Sequence, residues 1–377
     1  MTVITIMPTR LPSWLNLKVI LTVLIAKALV LVFAAQAFLT VGEKPLNANE
    51  SFLSIWNRWD AVQYLKIAQE GYVSKGDDRF LIVFFPLYPA LVALLQLIVR
   101  DYLLSAFIVS GFASLAAALA LRSLVKLDRS ERTAQLAVVF LFIFPTSYFL
   151  HIPYTESLFL ALVIGSFVAA RKRYWVWAGV LGGLACLTRI NGLILFPALA
   201  FEVWIEYRES AQFNKKWLFL ILIPFGFGGY LALNYFVTGD ALMFMIYQRE
   251  HWYRYFRWPW EGIWETYKRV DLAKPVDAQM TGVQEVLFVV IGAAATVFGW
   301  RHLRNSYRVW MVANWLLFVS TSFVLSVPRY TLSLFPLFIL MAIAARASRY
   351  INFAFWMWSV LFLALFTTQF VRGNWAF

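Results

Sequence analysis

The stretch LKVILTVLIAKALVLVFAAQAFL, Leu17 to Leu39, decides the fold class. A helix needs about 20 consecutive, mostly apolar residues to cross a bilayer, and this run supplies them. It follows Arg10, carries Lys18 near its start and lacks a small-residue cleavage pattern. It therefore reads as a retained first transmembrane helix and not as a signal peptide.

Working outward, apolar runs recur at about 103 to 121, 133 to 150, 154 to 170, 174 to 188, 190 to 205, 217 to 237, 282 to 300, 307 to 327, 331 to 346 and 352 to 370. Of 377 residues 62% are hydrophobic and 14% charged, against roughly 25% charged in soluble domains, so a water-facing shell cannot be built from this chain. The net charge of +13 falls in short basic clusters between apolar runs, not in a stripe. That pattern excludes a nucleic-acid surface and fits cytoplasmic loops. Cys186 is the sole cysteine, which rules out an intrachain disulfide and reads as a space-filling helix residue. The expectation is one all-α polytopic membrane domain over 1–377.

Two polar stretches stand out by length, 40–79 and 238–281. In the first, Glu43, Glu50, Asp60, Glu70, Asp77 and Asp78 outweigh Lys44, Arg58, Lys66, Lys75 and Arg79; in the second six basic residues meet six acidic ones. The short loops carry Arg122, Lys126, Arg129 and Arg132, then Arg171 to Arg173, then Arg301, Arg304 and Arg308, then Arg346 and Arg349. The positive-inside rule makes these basic loops and the N-terminus cytoplasmic and the two long loops extracytoplasmic.

That assignment constrains the helix count. The stretch after Pro86 and Pro89 has about ten apolar residues, half a bilayer at 1.5 Å each, and reads as a half-helix entering and leaving on the outer side. A break at Thr188 to Gly192 restores the parity, giving about eleven crossings. Asp60, Phe84 to Pro89, His151 to Ser157, Arg189 to Gly192, Gly239-Asp240 and Pro328 to Tyr330 then fall on one outer face.

Asp60, followed by Tyr64, Ile67 and Ala68 at helical spacing, begins a short amphipathic helix on that face. A carboxylate there is suited to take a proton from an attacking hydroxyl; it would equally cap the helix or pair with Arg58. Glu156 opens a helix, where a carboxylate is favoured by the helix dipole, and ionisable groups at membrane depth mark functional sites. His151 reads as an interface residue. Arg189 and Arg329 border apolar runs, and a guanidinium fork fits a phosphate with two hydrogen bonds, although each would also serve by reaching lipid headgroups. The second long loop runs from Asp240 through Gln248, His251, Trp252 and Arg254 to Trp258-Pro259-Trp260, an aromatic density that belongs at headgroup level or over a bound lipid. No P-loop, dinucleotide glycine fingerprint or His-Glu-x-x-His is present, and there are three histidines in all; ATP is not expected to act through this chain.

Trp56 to Ala61, Ile67-Ala68 before Gly71-Tyr72, Phe84 to Pro89, Phe144-Pro145-Thr146 leading to Pro153 to Phe159, Leu187 to Gly192, and Pro328-Arg329-Tyr330, in that order, resemble the PIG-V, or GPI mannosyltransferase 2, type of GT-C glycosyltransferase. The resemblance spans about residues 56 to 335. It implies a GT-C fold and an inverting transfer of mannose from a polyprenyl-phosphate mannose to a hydroxyl of a membrane-bound lipid, glycan or protein acceptor, on the lumenal or extracytoplasmic face of the plasma, inner or ER membrane. It further implies Asp60 as base, with Glu156 beside it in the catalytic pair. Arg58, Arg189, Arg329, Tyr330, Tyr154, Asn191, Gln248, His251 and Trp252 are the candidate donor-phosphate and substrate contacts. The chain is compact where GPI-acting members carry extra loops, so the sugar is better marked than the acceptor. Some GT-C enzymes bind a divalent cation and others do not, and two carboxylates do not decide between them. A non-enzymatic flippase or scramblase of lipid-linked sugars is the competing reading, and a structural membrane subunit a weaker third; the flippase would require a polar path through the helices, whereas here the polar residues collect at one face.

Overall fold

The computed structural model describes residues 16–41, 52–275 and 279–376. Arg10, the segment of the first long polar loop holding Glu43, Lys44 and Glu50, and Asp277 of the second loop lie outside the described residues. The described residues form helices joined by short turns, with no strand among them.

Helix α1 is Leu17–Val41. The first long polar loop contributes α2, Asp60–Glu70, followed by α3, Leu87–Val99, and α4, Tyr102–Lys126. Then come α5 (Glu131–Ile143), α6 (Glu156–Arg171), α7 (Trp175–Cys186), α8 (Leu195–Ser210) and α9 (Leu222–Thr238). The second long polar loop holds α10, Met243–Glu250, and α11, Pro259–Tyr267. The chain closes with α12 (Val283–Gly299), α13 (Asn305–Val319), α14 (Val327–Tyr330), α15 (Pro336–Ala347) and α16 (Arg349–Arg372). Side-chain caps set several starts, as where Asp101 accepts the Leu104 N–H at 2.7 Å and satisfies a donor that the first turn cannot.

Among the described residues six stretches are long and apolar enough to cross a membrane: Leu17–Val41, Tyr102–Lys126, Ile190–Ser210, Lys215–Thr238, Val283–His302 and Arg349–Arg372. Two bent pairs, Asp77–Val83 with Leu87–Val99 at 108° and Val327–Ser333 with Pro336–Ala347 at 82°, raise the number to eight if each is one span. These helices make the chain an integral membrane protein. Helix α3 has 13 residues, about 20 Å at the α-helical rise and short of a 30 Å hydrocarbon core. It ends at Arg100 in the left-handed region, φ 61°, and doubles back against α4.

One continuous apolar core runs from Val19 of α1 to Val371 of α16. Polar groups gather at its two ends. Helix α6 shows the separation, because it begins at Glu156 and finishes at Arg171, roughly 22 Å apart at 1.5 Å per residue. At the Arg171 end, Arg171 holds Asp128 through two bonds of 2.7 and 2.8 Å, Arg304 holds Glu202, and Arg346 donates to Ser130. The basic loops singled out by their charge therefore meet at one end of the molecule. Trp258 and Trp260 of the second long polar loop stack at 5.3 Å, both exposed.

Helices α7 and α9 touch at backbone distance. A Cβ added to Gly179 would lie 2.0 Å from the Phe219 carbonyl oxygen, one on Gly183 2.6 Å from Leu222 O, and one on Gly226 2.1 Å from Gly183 O. Small residues four apart permit such contact between helices in lipid. The contact fixes the end of α7, from which Arg189 emerges.

Candidate active site

Four segments distant in sequence meet at the Glu156 end. The first is the start of α2. Its preceding residue, Trp59, has φ 54° and ψ −123°, a conformation that costs a side-chain-bearing residue about 1–3 kcal/mol. The Trp59 ring packs edge-on against Trp375 at 5.2 Å, and the turn sets Asp60 at the head of the helix. Behind Asp60, Ala61, Tyr64, Leu65, Ile67 and Ala68 are buried, so the amphipathic face expected here packs on α3 and α4.

Asp60 Oδ2 accepts from Arg329 Nη1 at 2.7 Å. Arg329 lies in α14, and its Nε stands 3.3 Å from Glu156 Oε1. That same oxygen accepts from Arg189 Nη1 at 2.5 Å, and Arg189 Nη1 also donates to Thr155 Oγ1 at 3.1 Å. The result is a continuous chain, Asp60–Arg329–Glu156–Arg189, drawn from residues up to 269 positions apart. Its members differ in access: the side chain of Asp60 is 28% exposed, Arg189 17%, Arg329 7% and Glu156 2%. Glu156 Oε2 has no hydrogen-bond partner among the described residues.

Aromatic rings wall this chain. The Arg329 guanidinium lies 5.2 Å from the Tyr330 ring and 5.5 Å from those of Phe149 and Tyr154, and Arg189 lies 5.1 Å from the Tyr330 ring, within the reach of cation–π attraction. Tyr64 meets Phe84, Tyr88 and Tyr154 edge-on at 5.2, 5.4 and 6.3 Å. Burial, followed by the Asp60 and Glu156 charges, pushes the Tyr64 phenol above its ordinary range and keeps it protonated.

Two further groups complete the arrangement and were not anticipated. Arg254 reaches in from the second long polar loop, donating to the Tyr330 hydroxyl at 3.2 Å and the Leu325 carbonyl at 2.7 Å; its Nε has no acceptor among the described residues. Glu285, fully buried on α12, accepts the N–H groups of Ser326 at 2.6 Å and Val327 at 2.8 Å. It thereby holds the start of α14, where Ser326 sits left-handed at φ 67°. The findable signal for Glu285 was a carboxylate within an apolar run. Arg254 had none beyond its place in an aromatic loop.

Other sequence candidates lie elsewhere. Arg58 pairs with neither Asp60 nor Glu156: its Nε donates to Ile55 O at 2.9 Å and its own carbonyl accepts from the Tyr154 hydroxyl at 3.0 Å. The local Arg58–Asp60 pair considered from spacing is thus replaced by the long-range pair with Arg329. Asn191 donates to Asn314 of α13 at 2.9 Å, tying two elements together. His251 stacks on Phe80 at 4.3 Å and Trp252 meets Phe84 edge-on at 6.1 Å, so the end of α10 covers the aromatic layer behind Tyr64. Gln248 enters through its carbonyl, which accepts the Arg254 N–H at 2.9 Å. His151 is fully buried beside Phe142 and not at the interface. Asp60 and Glu156 face a common arginine, and among the described residues no group of three or more His, Cys, Asp or Glu is placed to hold a metal ion.

No protein-family model matches the chain. Among curated proteins it is similar to GPI mannosyltransferase 2 of Schizosaccharomyces pombe, 28% identical over 223 residues that are 52% of this chain and 47% of that protein. It is likewise similar to GPI mannosyltransferase 2 of Yarrowia lipolytica, 27% identical over 212 residues, 55% of this chain and 56% of that one. The chain spans about half the length of the curated relatives it matches. These relatives are of the family that the ordered motifs resemble. Among solved structures, the apo oligosaccharyltransferase of Archaeoglobus fulgidus aligns over 93% of this chain and 56% of its own, with 13% identity and a TM-score of 0.48.

Proposed function

We propose that the chain is a membrane glycosyltransferase that moves mannose from a polyprenyl-phosphate mannose to a hydroxyl of a membrane-associated acceptor, with inversion at the anomeric carbon. The observation that carries this reading is the Asp60–Arg329–Glu156–Arg189 chain with Arg254 beside it: an accessible carboxylate next to several guanidinium groups. The similarity to two GPI mannosyltransferases supports the sugar. The acceptor oxygen bonds to the anomeric carbon as the bond from that carbon to the phosphate oxygen breaks. The acceptor's proton passes to Asp60, and the bonding pair leaves on the lipid phosphate, where Arg189, Arg254 or Arg329 steadies the new charge. Glu156, almost wholly buried, orients two of these arginines and so assists the base from behind. A donor already anchored in lipid needs no nucleotide-binding domain.

The site lies on the extracytoplasmic or lumenal face, opposite the basic loops, with about eleven crossings, some of them in the shorter helices, in a GT-C arrangement and α3 as the outer half-helix. The acceptor is a glycolipid, glycan or protein hydroxyl in the same bilayer. Purified protein given polyprenyl-phosphate mannose and candidate acceptors should release polyprenyl phosphate and mannosylated product. Asp60→Asn should lower that turnover about a hundredfold to ten-thousandfold, the span of general-base catalysis. Undiminished turnover in the variant would remove Asp60 as the base.

A further inference from the structure

A second charged site lies at the other end of the molecule, where α4 runs into α5 and α12 into α13. Arg129, Arg301, Arg304, Asp128 and Tyr307 line a cavity of about 250 Å³ there, together with apolar residues that include Leu124 and Ile339. Its carboxylates are already engaged. Asp128 is gripped by both terminal nitrogens of Arg171, at 2.7 and 2.8 Å. Glu202 receives Arg304 at 2.8 and 3.0 Å and the Ser306 hydroxyl at 2.5 Å. Four arginines thus meet two carboxylates. The surplus sits on two exposed side chains: Arg129, whose guanidinium donates to the His302 carbonyl at 3.4 Å, and Arg301, whose guanidinium has no hydrogen bond or ion pair among the described residues.

Two guanidinium groups that line one small cavity without a carboxylate partner are suited to share an anion. A guanidinium presents paired donors matched to phosphate oxygens. The space is smaller than the 300–1,000 Å³ of a pocket for a drug-sized ligand, but it suits a single phosphate group. We infer that this cavity binds a phosphate monoester, with Arg129 and Arg301 as its principal contacts. The cavity lies where the spanning stretches Tyr102–Lys126 and Val283–His302 end and has leucine and isoleucine in its lining, so a lipid headgroup with its chains along the helices suits it; a free phosphate has the same charge chemistry. Bound there, the anion would bridge the α4–α5 and α12–α13 loops and join the early and late parts of the chain.

The test uses full-length protein in phosphatidylcholine nanodiscs, with and without phosphatidic acid, and separately with inorganic phosphate. Phosphatidic acid should raise the thermal midpoint, and the R129Q/R301Q double variant should lose that rise while keeping the wild-type midpoint in phosphatidylcholine alone. Each arginine removed should weaken the apparent affinity by about tenfold or more, the scale of a charge-assisted hydrogen bond. A rise with inorganic phosphate as well assigns any phosphate monoester; a rise with the lipid alone assigns the headgroup. Should R129Q/R301Q fail to fold, Arg301→Lys, which keeps the charge without the paired donors, must show weakened binding in its place. An equal rise in wild type and variant, or none with either probe, overturns the site.

Discussion

At the scale of single residues, the site is a problem of placing like charges near one another. Two arginines share one oxygen of Glu156, so removing that carboxylate exposes the pair to mutual repulsion. Glu156→Gln should destabilise the protein by about 3–5 kcal/mol, the cost of stranding a buried charge, as read by a thermal shift, and should raise the KM for donor more than Asp60→Asn does. Ser326 offers a subtler test. Its φ of 67° suits glycine, so Ser326→Gly should hold or raise the thermal midpoint, whereas the β-branched Ser326→Val should lower it by a strain of about 1–3 kcal/mol. Asp128 reports on the opposite end. Burial alone would raise its pKa, but the Arg171 hydrogen bond and charge win and hold it below the usual aspartate value. Because the folded form has the lower pKa, its stabilisation is present above the ordinary aspartate value and is lost as pH falls from there through the lower folded-state value. Thermal midpoints compared at pH 6 and pH 3 should fall less for Asp128→Asn than for wild type.

Residue-level reading reached Glu156, Arg189 and Arg329 because each is an ionisable group in or beside an apolar run, which lipid makes costly without a partner, and Asp60 because helical spacing set it at the head of a short amphipathic helix. It did not find that the partner of Asp60 lies 269 residues away. Spacing ranks neighbours on one helix, and only the packed bundle ranks contacts between helices. Arg254 escaped for the same reason: its loop is long, and which residues fold inward is decided by tertiary packing.

At the scale of elements, the apolar runs translate closely into helices: the run at 352 to 370 becomes Arg349–Arg372, and that at 282 to 300 becomes Val283–Gly299. The run at 133 to 150 splits instead, into α5 and a 3-10 turn at Ser147–Leu150, after Pro145 leaves the helix one donor short. Hydropathy cannot see such breaks, since both pieces are equally apolar. Nor does it mark how closely α7 and α9 approach. Replacing Gly183 or Gly226 by alanine sets a methyl group against a backbone carbonyl that no rotamer change can clear. Either substitution should cost about 1–3 kcal/mol by overpacking and, by displacing the end of α7, should depress donor turnover at a temperature where the protein remains folded. Full turnover in Gly226→Ala would separate the α7–α9 contact from the position of Arg189.

At the scale of the whole molecule, the two ends of the bundle carry different charge arrangements joined by an apolar core. The Glu156 end gathers arginines and carboxylates into one chain of ion pairs under aromatic cover, and the Arg171 end leaves arginines in surplus around a small cavity. Loop charge alone foretold this sorting, because basic loops resist crossing the membrane and the long mixed-charge loops do not. If the Glu156 end holds the lipid-linked sugar for attack, a density map of the protein in nanodiscs with a non-transferable polyprenyl-phosphate mannose analogue should place the lipid phosphate within hydrogen-bond distance of Arg189, Arg254 or Arg329, and the side of the anomeric carbon opposite the phosphate facing Asp60. A phosphate seated only among Arg129 and Arg301, or a sugar bound with Asp60 still closed on Arg329 and turned away from it, would rule out catalysis at this end.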